Sequence, residues 1–136
     1  MTATATTRHP IDHVLAAFAA GNVPELLAHI DDAVDFRIDH YRDTADVSWQ
    51  QARDKAGLLA VLQRLAAEVF PRGTRIVETE SQTLGNDWVL TRFHQRFFYA
   101  VQQREVESVT WIVSPSVQGR LDYFRETVTP IAPTGA

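Results

Sequence analysis

Apolar and polar positions change their spacing several times along this chain, and each change marks an element. Ile11, Val14, Leu15 and Phe18 recur at helical spacing behind Pro10, a residue suited to a first helical position. Gly21 predicts the end of that helix. Asn22 predicts the cap of a second, shorter helix, with Pro24 and Glu25 in its first turn and Leu26, Leu27 and Ile30 on its buried side. The pair Asp31-Asp32 is expected to end it. Val34, Phe36 and Ile38 then alternate with Asp35, Arg37 and Asp39, the period of a half-buried strand. Residues 41–48 are polar and aperiodic, which reads as a loop. From 54 to 70 the apolar positions 58, 59, 61, 62, 65, 66 and 69 form one stripe of a long helix, closed by Pro71 and Gly73.

The second half reads as strands. Residues 75–84 alternate weakly, and Gly85-Asn86 predicts a turn. Residues 88–99 form a long strand. Its odd positions are Val89, Thr91, Phe93, Gln95, Phe97 and Tyr99; its even positions are Trp88, Leu90, Arg92, His94, Arg96 and Phe98. A hairpin turn at 102–104, a strand at 105–113, a turn at 115–119 and a last strand at 121–128 follow, and Pro130 and Pro133 release the chain. Helices followed by strands on short turns predict an antiparallel sheet with helices on one face, the α+β class.

Composition narrows the chemistry. The chain has 136 residues, 45% hydrophobic and 22% charged, which suits one globular domain. That domain is expected over residues 10–131, with frayed tails at 1–9 and 132–136. The lack of cysteine excludes disulfides, thiolate nucleophiles and iron–sulfur clusters. The net charge is −4 and the basic residues are scattered, so no nucleic-acid partner is expected. The longest purely apolar run, residues 14–20, is far too short to span a membrane. No basic leader precedes it, and a cytoplasmic location is expected. His9 and His13 stand one helical turn apart without a third ligand. Asp31, Asp32 and Asp35 divide between two strand faces, so no metal is expected. Phosphate-binding glycine loops, the GxSxG elbow and HExxH are absent.

Three stretches carry a family resemblance. Residues 14–23 (VLAAFAAGNV) resemble a first helix with its glycine break, and residues 31–36 (DDAVDF) resemble the entry to a first strand. Gly119-Arg120-Leu121 with Phe124-Arg125-Glu126 resembles the closing strand, and Thr129-Pro130 stands where many members have Asn-Pro. In order and spacing the chain resembles the nuclear-transport-factor-2-like, or SnoaL-like, superfamily. The resemblance covers about residues 10–131. It implies a strongly curved, mixed but mostly antiparallel sheet wrapped against three helices, a cone with an apolar pocket, and usually a dimer. Members include ketosteroid isomerases, epoxide hydrolases, polyketide cyclases, dehydratases and non-catalytic proteins, so the fold alone does not select a function.

Carrying the family's sites over residue by residue separates these activities. The ketosteroid isomerase positions fall on Val14, on Arg37 or Ile38, and on Trp111, whose apolar members can neither move a proton nor stabilise an oxyanion. That activity is rejected. The hydrolase cluster of Asp, Arg and Asp falls on Glu126, Phe93 and Gln95, so one acid survives without its arginine. The SnoaL-type cyclases need one acid in an apolar pocket, and Glu126 fits by position.

Glu126 is accordingly the candidate acid–base group, with Gln95 as its expected hydrogen-bond partner. Asp39, His40 and Tyr41 are further catalytic candidates at the expected mouth, because dehydratases of this superfamily use Tyr and His around their pocket. By parity Phe18, Phe36, Phe93, Phe97, Trp111 and Phe124 are expected to line the cavity, although a filled core is the plain alternative. His94 should face away. The leading expectation is a cofactor-free enzyme that cyclises, isomerises or dehydrates a small hydrophobic carbonyl compound of polyketide or terpenoid type. The alternatives are a non-catalytic binding or dimerisation module, and a hydrolase recruiting Asp39 or Glu107. Trp88, Leu90 and Phe98 share the convex face and predict homodimerisation there.

Overall fold

A computed structural model of the chain describes residues 9–41, 46–115, 119–129 and 131–134. Residues 1–8 of the expected tail at 1–9, loop positions 42–45, turn positions 116–118, Pro130 and residues 135–136 lie outside the described residues.

Helix α1 spans Pro10–Ala20 and buries Ile11, Val14, Leu15 and Ala17. Gly21 ends it at φ 71°, a left-handed conformation that glycine adopts without Cβ strain. The Asn22 side chain accepts a hydrogen bond from Glu25 N–H at 3.2 Å and caps α2 (Val23–Ala28). The expected stop at Asp31-Asp32 is too late, because His29 already caps α2 and both aspartates lie in β1 (Ile30–His40). The His29 carbonyl accepts from Leu121 N–H at 2.8 Å, so pairing with the last long strand begins where the helix ends.

The two-residue β2 (Gln51–Ala52) pairs antiparallel with Phe36 and Arg37. Helix α3 (Lys55–Glu68) presents Leu58, Val61, Leu62 and Leu65 to the core, and the Asp54 carboxylate caps it from 2.6 Å off Gly57 N–H. Three long strands follow as antiparallel hairpins: β3 (Thr74–Gly85), β4 (Trp88–Tyr99) and β5 (Arg104–Pro115). Asn86, Asp87 and Gln103 take positive φ in the two connecting turns. β6 (Leu121–Val128) pairs antiparallel with β5 and parallel with β1.

The sheet order is β2-β1-β6-β5-β4-β3. It is mixed, mostly antiparallel and open, which fits the expected α+β class. β7 (Ala132–Pro133) pairs with the half of β5 that β6 leaves uncovered, so these two residues, expected in a tail at 132–136, belong to the sheet. The core lies between the helices and one sheet face. Asp12 of α1 fixes part of that contact, accepting from Ser81 Oγ of β3 at 2.6 Å.

Candidate active site

The β4 alternation holds through the whole strand. Its odd positions point into the core, its even positions outward. β5 runs opposite to it in register: Thr110 faces Phe93, Ser108 faces Gln95 and Val106 faces Phe97. The inward residues of β5 are therefore Val106, Ser108, Thr110, Ile112 and Ser114. Trp111 points the other way and is 43% exposed, so its expected place in the cavity wall is wrong. Hydrophobic size along β5 is misleading, because small hydroxyl side chains face inward to leave room for the aromatics of β4.

Two cavities meet inside. The front one is walled by α1, α2, α3 and the inner sheet face, including Phe18, Phe36, Phe70, Phe93 and Phe124. Its cavity volume is about 60 Å³. Phe36 and Phe124 stack at 4.6 Å between centroids, and Phe18 meets Phe70 edge-on at 5.3 Å. The rear cavity has a volume of about 40 Å³ and a more polar wall that includes His40, Gln50, Gln95, Ser108 and Tyr99. Phe97 belongs to this rear wall and not to the front one. Glu126 and Gln95 line both cavities and stand at their junction.

Glu126 is 9% exposed and has no arginine or lysine paired with it among the described residues. Burial raises its pKa from the ordinary 4.5 to about 7, because the charged form loses water without gaining a counter-ion. The neighbouring Thr110 hydroxyl opposes the shift, although its oxygen reaches no hydrogen-bond geometry and is itself buried. The expected bond between Glu126 and Gln95 is not made. Gln95 Oε1 instead accepts from Thr74 Oγ1 at 2.6 Å, and its amide nitrogen donates weakly to Ser108 Oγ at 3.4 Å.

The remaining candidates separate by parity on β1. Asp39 lies on the outer face, where its carboxylate accepts from Arg37 Nε at 2.9 Å. Tyr41 is 53% exposed and lines neither cavity. His40 faces inward, and its Nε2 lies 3.1 Å from Gln50 Oε1. Glu107 is held on the outer face by Arg96 at 3.0 Å, close to His94. The candidate triplet at residues 39–41 thus contributes one side chain to the site.

Sequence reasoning missed Phe70, the α3 leucines, Gln50, Ser108 and Thr110. The α3 stripe was visible, but a helix packing on a solid core and one walling a cavity share the same period. Gln50 sits in a polar stretch with no signal of burial, yet it is 3% exposed.

No family model matches the chain, and no curated protein matches its sequence. Solved structures do. A proposed isomerase from Rhodopseudomonas palustris is 21% identical over 90% of this chain and 91% of its own, with a TM-score of 0.65. An NTF2-like protein from Burkholderia xenovorans is 21% identical over 88% and 86%, with a TM-score of 0.67. The chain has the nuclear-transport-factor-2-like fold. Within that fold, a proposed polyketide cyclase from Xanthomonas campestris is 11% identical over 87% of this chain and 86% of its own, with a TM-score of 0.67.

Proposed function

We propose that this protein is a cofactor-free acid–base enzyme of cyclase, isomerase or dehydratase type, acting on a small hydrophobic carbonyl compound of polyketide or terpenoid kind. The observation that carries this reading is one carboxyl group, Glu126, with a pKa near 7 in the wall of an apolar cavity. Near neutral pH such a group exists in both protonation states, the condition for taking a proton at one step and returning it at another.

Ionised Glu126 removes a proton from the carbon beside the carbonyl. The C–H electrons move into the carbonyl as an enolate, and the protonated acid then delivers that proton elsewhere on the substrate. In this reading Gln95, its oxygen held by Thr74, donates an amide N–H to the substrate oxygen or to a water. Phe18, Phe36, Phe93 and Phe124 shape the apolar body of the site. The named isomerase and cyclase among the fold's relatives support this class of reaction. The hydrolase alternative loses support, because Asp39 and Glu107 lie outside the cavities.

Glu126→Gln keeps the shape and removes the shuttle. Turnover of a cognate compound, found by screening cyclic and linear hydrophobic ketones, is expected to fall at least about 100-fold with binding retained. Turnover within a few-fold of wild type overturns the reading. The apolar wall also suits a binding module, and a ligand recovered chemically unchanged after prolonged incubation would favour that second reading.

A further inference from the structure

We propose that His40 is the proton relay between Glu126 and solvent, working through water in the rear cavity with its ring held by Gln50. The inference rests on the acid–base reading of Glu126 and extends it to the path by which that group is recharged. An apolar wall supplies no side chain to pass a proton to or from a buried carboxyl. Among the described residues, the lining of the front cavity contains no second titratable side chain. The rear cavity does. α3 gives it Leu65, Val69 and Phe70, and β5 gives it Ser108; its titratable groups are Glu126 from β6, His40 from β1 and Tyr99 from β4. Tyr99 is only 2% exposed and ends inside the fold. His40 lines the cavity and is half-buried, so part of the residue is in contact with solvent.

The strand register places the two groups together. β1 and β6 run parallel, with Ile38 opposite Glu126 and His40 opposite Val128. His40 and Glu126 are thus diagonal neighbours on one face, roughly 7–8 Å apart at the backbone, a gap that two side chains and one water can bridge. The rear cavity has the space for that water. Gln50, buried beneath β1, fixes the imidazole at 3.1 Å. The outward neighbour Asp39 is paired with Arg37 on the opposite face. In the relay the Glu126 O–H bond breaks as the bridging water takes the proton. A ring nitrogen of His40 takes a proton from that water, and the imidazolium releases one to bulk solvent. The reverse sequence reloads the acid.

The test needs no substrate. The carboxyl carbon of Glu126 is followed by NMR in glutamate-labelled full-length protein across its titration, with Glu126→Gln giving the assignment. Wild type is expected to give one averaged signal. His40→Gln preserves a polar contact to Gln50 but cannot relay. It should slow proton exchange at least about tenfold, resolving separate acid and carboxylate signals, and added imidazole should average them again. Averaged signals in a folded His40→Gln protein overturn the relay. If that variant does not fold, the His40 ring resonances serve instead. In wild type they should shift at the Glu126 midpoint, and Glu126→Gln should abolish that shift; ring resonances that do not respond to Glu126 overturn the relay equally. A wild-type Glu126 midpoint in the ordinary carboxylate range would instead overturn the acid–base reading, which keeps the two failures distinct.

Discussion

Glu126 makes folding itself depend on pH. Its pKa is about 7 in the folded chain against 4.5 for the free side chain. Between those values the folded protein holds a proton that the unfolded one has released, so stability falls as pH rises through that window. The full contribution is about 3 kcal/mol, complete above the folded pKa and absent below 4.5. Glu126→Gln should therefore be more stable than wild type at pH 8, and the gap should close toward pH 4. Urea midpoints at the two pH values check this, and a gap independent of pH would contradict it. A second residue-scale expectation concerns Phe18, which with Phe70 separates the front cavity from an outer hollow of about 150 Å³ bounded by Gly21, Ala66 and Gly73. Phe18→Ala should join the two and increase the fluorescence of a bound anilinonaphthalene dye; no change would show that the rings are not the partition. The inward side of Gln95 was legible from strand parity, and Glu126 through the family resemblance, whose acid stands seven residues after the turn glycine, here Gly119. Their failure to bond each other was not legible, since Thr74 lies 21 residues from Gln95 in the chain and competes for its oxygen.

At the scale of elements, the site is as good as the helix that roofs it. α3 supplies Leu58, Leu62 and Leu65 to the front cavity, and its first turn is secured by the Asp54 carboxylate on Gly57 N–H. Asp54→Ala should cost about 1 kcal/mol of stability. Denaturant unfolding would register the loss, while dye binding to the folded protein should remain within two-fold of wild type; a larger binding defect would mean that the cap shapes the cavity. α1, α3 and β4 were legible because each repeats its period for three turns or more, or for a dozen residues. β2 and β7 were not, because a two-residue strand has no period and is defined only by its partner. β5 was placed correctly but turned over at Trp111, since three of its five inward residues, Ser108, Thr110 and Ser114, are serine or threonine.

For the whole molecule, the sheet's outer face raises the question of assembly. Trp111 is the most exposed large aromatic on it, and Trp88 packs edge-on against Tyr123 at 5.4 Å nearby. Ion pairs of Arg92 with Glu78, Arg96 with Glu107 and Arg125 with Asp35 surround these rings. We propose that a second copy of the chain covers this face, as Trp88, Leu90 and Phe98 suggested from sequence. Sedimentation should then find a species of twice 15.3 kDa at micromolar concentration, and Trp111→Ser should shift it to the single mass. A monomeric wild type would remove the proposal. The general architecture was legible because helix, strand and turn signals agree in order. The parallel pairing of β1 with β6 was not readable from any local pattern, since it joins segments about 90 residues apart.

β7 has a practical consequence. Ala132 and Pro133 pair along the edge of β5 that β6 leaves uncovered, and Ile131 just before them lines the rear cavity. The carboxyl-terminal segment is therefore both a stopper and an edge guard. Deleting it would breach the chamber behind Glu126 and bare a row of backbone groups ready to recruit another chain. Affinity tags and fusion partners belong at the amino end, and a preparation clipped near residue 130 should aggregate before it loses its helices.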